Sequence, residues 1–176
     1  MNRREAVRNL SLILGGALSS ELSAALQGQV LNTGKPLEVS SAQESLLAEA
    51  ADTVIPTTDT PGAKAAGVEK FIIRVLRDCY RPEAQIRFYE GLARLDAAAR
   101  GGHGKGFADL APPERHAVLS ATTRTDKPFF LLLKQLTVAG YFTSEIGATK
   151  ALAYLPVPGK FQGETTLQPG QKAWAL

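Results

Sequence analysis

Val68-Glu-Lys-Phe71-Ile72-Ile-Arg-Val75-Leu76-Arg-Asp-Cys79 places Val68, Phe71, Ile72, Val75, Leu76 and Cys79 at spacings of three and four, one apolar stripe along an α-helix. On that stripe Cys79 reads as a small buried hydrophobe rather than a nucleophile. Upstream lies the turn-rich Pro56-Thr-Thr-Asp-Thr-Pro-Gly62. Before it, Ser41-x-x-Glu44 has the spacing of a capping box, and Ala42, Leu46, Leu47, Ala50, Val54 and Ile55 form a second stripe that Pro56 stops. Downstream, Pro82 suits the first turn of a helix whose apolar residues Ile86, Tyr89, Leu92, Leu95 and Ala99 run to a glycine stop at Gly101-Gly102. Leu110-Ala-Pro-Pro-Glu114 opens a shorter helix through Leu119. Asp126-Lys-Pro128 opens the most apolar one, Phe129 to Phe142, expected at the centre of the core. No run combines period-two alternation with β-branched residues and flanking turns. The expected fold is all-α, a compact domain of about five helices over residues 41–155.

The flanks differ from that domain. Residues 28–40 read as a linker broken by Asn32, Gly34 and Pro36, and residues 156–176 as an extended irregular tail crowded with proline and glycine. Phe161, Leu167 and Trp174 in the tail are apolar groups that need cover, from the domain or from a partner. Trp174 is thus either an interface anchor or a side chain docked on its own domain. Residues 1–27 have the layout of an export signal: a basic start with Arg3, Arg4 and Arg8, then an apolar run from Leu10 to Leu18. That run is too short for a bilayer core that needs about 20 residues. Arg3-Arg4 resembles the twin-arginine signal, although Ala6 and Val7 stand where that pattern favours bulky residues. The alternative for this segment is an amphipathic first helix with two solvated arginines.

The composition describes an ordinary globular chain of 176 residues, 44% hydrophobic and 21% charged, with a net charge of +3. Basic and acidic residues interleave, and no basic cluster with aromatic neighbours calls for nucleic acid. A single cysteine removes intrachain disulfides, a cysteine zinc site and the CxxCH haem signature. Gly101-Gly-His-Gly-Lys-Gly106 follows a helix rather than a strand and lacks the Lys-Ser/Thr of a phosphate loop. There is no GxGxxG for FAD or NAD, and His103 and His116, the only histidines, have no aligned carboxylate pattern for a metal or for catalysis. No catalytic, cofactor or metal residue is therefore expected in this chain.

Two blocks carry a resemblance. The first runs Ala51-Asp-Thr-Val-Ile-Pro56, then Asp59-Thr-Pro61-Gly62-Ala-Lys64, Ala66-Gly-Val68 and Phe71. The second is Gly140-Tyr141-Phe142-Thr143-Ser144-Glu145-Ile-Gly147-Ala-Thr149, then Leu152, Tyr154 and Pro158-Gly159. Together they resemble the gluconate 2-dehydrogenase subunit 3 family, the small subunit of flavin-dependent sugar and sugar-acid dehydrogenases. The resemblance implies a chain without chemistry of its own. It would accompany a large FAD-dependent subunit of the glucose-methanol-choline type, with a haem-bearing cytochrome c subunit as a further partner. It also implies that Arg3 and Arg4 direct both proteins through the export machinery to the periplasm, at the inner membrane. Candidate interface residues are Pro56, Asp59, Pro61, Gly62, Tyr141, Phe142, Thr143, Ser144, Glu145, Phe161 and Trp174. Asp59 or Thr60 is expected to cap the following helix, Pro56 to Gly62 either touches a partner or merely joins two helices, and Glu145 needs a polar partner. Without the resemblance, the reading left is a stand-alone helical module, recruited to partners or to a membrane by its N-terminus.

Overall fold

Ser40 starts the helical domain. Its hydroxyl accepts the Gln43 N–H at 3.2 Å while the Gln43 carboxamide takes the Ser40 N–H at 3.0 Å, a capping box one residue earlier than Ser41 and Glu44. Tandem serines allow either register; the one adopted leaves Ala42 exposed and buries Leu46, Leu47, Ala50 and Ala51. The computed structural model describes residues 38–154 and, beyond them, 157, 159, 164, 166 and 169–174. Among these residues it is all-α, with helices α1 (Ser41–Val54), α2 (Val68–Cys79), α3 (Pro82–His103), α4 (Pro112–Thr125) and α5 (Lys127–Phe142). A 3-10 turn, Phe107–Asp109, and a π-helical turn, Gly147–Ala151, complete it. The expected signal, the expected linker up to residue 37, and Phe161 lie outside the described residues.

Helix ends follow local chemistry. Pro82 occupies the first turn of α3, where its missing N–H has no partner to lose. The glycine stop expected at Gly101-Gly102 falls later: both stay helical, and Gly104, at φ 69°, turns the chain left-handed with its N–H on the Arg100 carbonyl at 2.9 Å. The Glu114 carboxylate accepts the Ala111 N–H at 2.9 Å and opens α4.

As expected, α5 lies at the centre: it packs on all four other helices, and so does α1. Leu47, Ile72, Leu76, Leu92, Leu95 and Leu133 meet in one core with Phe88, Phe107, Phe129 and Tyr141. Each fully buried aliphatic side chain contributes roughly 1.5–3 kcal/mol. Besides Ala42, two stripe assignments are corrected. Cys79 is exposed, because it ends α2 beyond the last residue, Leu76, that its neighbours cover. Ile86 is 46% exposed, because α3 turns Gln85, Phe88, Tyr89 and Leu92 inward, with the Gln85 amide donating to the Tyr80 carbonyl at 2.8 Å. No helix among the described residues is long and apolar enough to cross a membrane.

Candidate functional site

The loop after α1 is built by short-range bonds. The Gly62 N–H donates to the Thr57 hydroxyl at 2.9 Å, the Thr58 N–H to the Thr60 carbonyl at 3.0 Å, and the Ala63 N–H to the Ile55 carbonyl at 2.8 Å. The Thr58 hydroxyl donates to the exposed Asp59 carboxylate at 2.8 Å, and this bond, ahead of the Asp59 backbone N–H, holds that carboxyl below its ordinary range. Asp59 and Thr60 do not cap α2: that position belongs to Gly67, at φ 66°, with no side-chain cap. Their own loop already uses these residues.

The second block closes α5. Tyr141 is buried, and its hydroxyl donates to the Pro61 carbonyl at 2.7 Å, which joins the two blocks directly. The Thr143 hydroxyl donates to the Ala139 carbonyl at 2.7 Å, and Ser144 donates to the Tyr141 carbonyl at 2.6 Å while accepting the Gly147 N–H at 3.0 Å. Both hydroxyls thus add a second bond to carbonyls that already accept the backbone N–H groups of the same two residues, which tightens the helix end. Gly147 has no alternative here, since a Cβ on it would lie 1.9 Å from the Tyr141 carbonyl oxygen. Glu145 differs from expectation. Its side chain is exposed, so solvent takes the place of the polar partner that burial would require.

The tail returns to this end of the domain. The Ala153 N–H donates to the Ala173 carbonyl at 2.8 Å in an isolated parallel bridge between Ala153 and Trp174, and the Lys172 ammonium donates to the Lys150 carbonyl. The Lys172 charge also reaches Asp59 and helps keep it ionised. Trp174 therefore docks on its own domain yet stays 58% exposed. Between tail and α5 runs an open groove of about 590 Å³, whose lining includes Val138, Phe142, Glu145, Leu152, Tyr154 and Trp174. Tyr154 is 56% exposed and Phe142 39%, the latter ring standing edge-on to Tyr141 at 5.2 Å.

Of the sequence candidates, Phe142, Thr143, Ser144, Glu145 and Trp174 share this groove, and Tyr141 connects it to Pro61. Pro56 and Asp59 stand on the exposed loop, Gly62 is buried, and Arg3, Arg4 and Phe161 lie outside the described residues. Val138 was missed. The signal was present, because Leu131, Val138 and Phe142 recur at seven and four and form an exposed stripe beside the core stripe of α5. The histidines lie apart: His103 is 3.6 Å from the Glu114 carboxylate, and His116 lines a separate cavity of about 210 Å³ with Phe130 and Lys134. Among the described residues no three His, Cys, Asp or Glu are placed to hold a metal ion.

A comparison with protein families matches residues 41–159 to Gluconate 2-dehydrogenase subunit 3. No curated protein and no solved structure matches the chain.

Proposed function

The chain belongs to the gluconate 2-dehydrogenase subunit 3 family, and on that premise we propose that it is the non-catalytic small subunit of a periplasmic, FAD-dependent sugar or sugar-acid dehydrogenase. Its partner is a large flavoprotein of the glucose-methanol-choline type. The oxidation belongs to that partner, electrons leave through a cytochrome c subunit or another acceptor, and this chain binds, stabilises and escorts the flavoprotein. The face it presents is the end where the 56–62 loop, the C-terminus of α5, the π-helical turn and the tail converge.

The observation that carries this reading is the coupling of the two blocks: Tyr141, buried in the core, bonds Pro61, while its neighbour Phe142 faces the solvent-lined groove. A partly buried hydrogen bond ties the loop to α5, so the exposed apolar face beside it is presented on backbone held at both ends. Such a face, with aromatic residues at its centre and polar residues around it, is what a protein partner covers.

Purification of the chain after co-expression with its native genomic neighbours tests the proposal. The expected result is a stoichiometric complex with a large partner whose absorbance shows flavin, bleached by a sugar or sugar acid. A chain that purifies alone and colourless would overturn it.

A further inference from the structure

Of the hydroxyls among the described residues that line the groove, three are used within the chain, Thr143 on the Ala139 carbonyl, Ser144 on the Tyr141 carbonyl and Thr149 on the Glu145 carbonyl, and the Tyr154 hydroxyl is left on an exposed ring. Among the described lining residues only Glu145 carries a charge, and its carboxylate has no ion pair or hydrogen bond within the described residues. Lys172, the cation among the described tail residues, is directed to the Lys150 carbonyl and toward Asp59. The groove therefore offers an occupant mostly aromatic and aliphatic surface, with the polar tips of Tyr154 and Trp174 and one negative charge on Glu145. A sugar needs paired donors and acceptors and finds few here; an anionic lipid surface meets a charge of its own sign.

Resting on the proposed escort role, we infer that the groove receives an apolar segment of the large subunit carrying an arginine, whose guanidinium meets Glu145 beside Trp174 and Tyr154. Charge complementarity selects the cation. The exposed aromatic rings select arginine over lysine, because a planar, weakly hydrated guanidinium stacks on rings while keeping its edge for a carboxylate. Trp174 forms the wall on the tail side, and that wall is held by the bridge to Ala153.

Two measurements on the full-length chain and the co-expressed large subunit test this. Glu145→Gln is expected to weaken the complex about tenfold, the scale of a truncated interfacial charge pair at a partly solvated rim. Wild-type affinity should fall as salt rises, because screening shortens to about 3 Å at 1 M, whereas the Glu145→Gln affinity should be nearly flat. Phe142→Ala should weaken binding without changing the salt slope. With a photo-crosslinking phenylalanine analogue at position 142, the labelled peptide should come from the large subunit and include an arginine. Equal affinities and slopes for wild type and Glu145→Gln would overturn the inference while leaving the escort role standing. A cross-link to a second copy of this chain, or to its own residues 1–37, would do the same. If the wild-type chains do not associate at all, the escort role fails and this inference with it.

Discussion

Tyr141 places a hydroxyl where the loop needs one. Its ring is 2% exposed and its hydroxyl lies 2.7 Å from the Pro61 carbonyl, so Tyr141→Phe keeps the packing and strands a half-buried acceptor. Loss of stability by about 1–2 kcal/mol is expected, with little change in the urea m-value, since the same surface is exposed on unfolding. Urea titration of the two proteins measures it. Asp96 supports a different turn. Its carboxylate accepts the Arg100 guanidinium and the Phe107 N–H, each at 2.8 Å, across the chain reversal after α3. Burial raises this carboxyl, but the Arg100 and Phe107 bonds outweigh burial and hold it below its ordinary range. A carboxyl lowered in the folded state contributes stability above its unfolded value, near pH 4, and that contribution is lost as pH falls through the folded value. Asp96→Asn should therefore be less stable at pH 7 by about 1–2 kcal/mol, yet lose less on acidification below about pH 4. Parallel slopes for both proteins in a pH series of melting temperatures would contradict this account.

Helix α5 shows which device sets an element's start. Asp126 accepts the Phe129 N–H at 3.4 Å as N-cap, and also two bonds from Arg94 at 2.6 and 3.0 Å. Arg94 is 57% exposed, so the ion pair is screened by solvent and contributes under about 1 kcal/mol. Asp126→Ala removes the cap as well and should lower stability by about 1–2 kcal/mol, clearly more than Arg94→Ala. Comparable losses from the two, read from denaturant midpoints, would mean that the ion pair rather than the cap anchors α5. The same start was legible in the sequence, because Asp126 and Pro128 flank the apolar run from Phe129. All five helices could be read in this way, since period and punctuation are local properties. What could not be read depends on contacts across the molecule. Cys79 fits the α2 stripe but lies past the helices that cover it, and Gln85 is polar yet turned inward because the Tyr80 carbonyl is within reach. The choice of Ser40 over Ser41 turns on one residue of register. At the site, Tyr141 to Glu145 stood out as a block, but its contact with Pro61, 80 residues earlier, and the return of Trp174 to Ala153 are tertiary facts. Val138 belongs to a second, exposed stripe of α5 that the apolar run from Phe129 to Phe142 conceals.

At the scale of the whole molecule, the proposed escort role would link this chain's folding to where it folds. Its single cysteine leaves no intrachain disulfide to form, so its helical domain has no need of an oxidising compartment. Folding before export would suit the proposed meeting with a partner that has already taken up FAD. Such an arrangement separates recognition from transport. Under the proposed role, the face around Phe142 and Glu145 would hold the flavoprotein, and Arg3-Arg4 would address the pair. Replacing Arg3 and Arg4 together by lysine should then leave the complex intact, with flavin bound, but trap both chains in the cytoplasm. Glu145→Lys together with Trp174→Ala should do the reverse: this chain is exported alone and the flavoprotein stays behind. Cell fractionation followed by immunodetection and a flavin spectrum of each fraction reads both outcomes. A flavoprotein that reaches the periplasm whichever pair is changed travels by its own signal, and the small subunit is then a stabiliser that joins it after export.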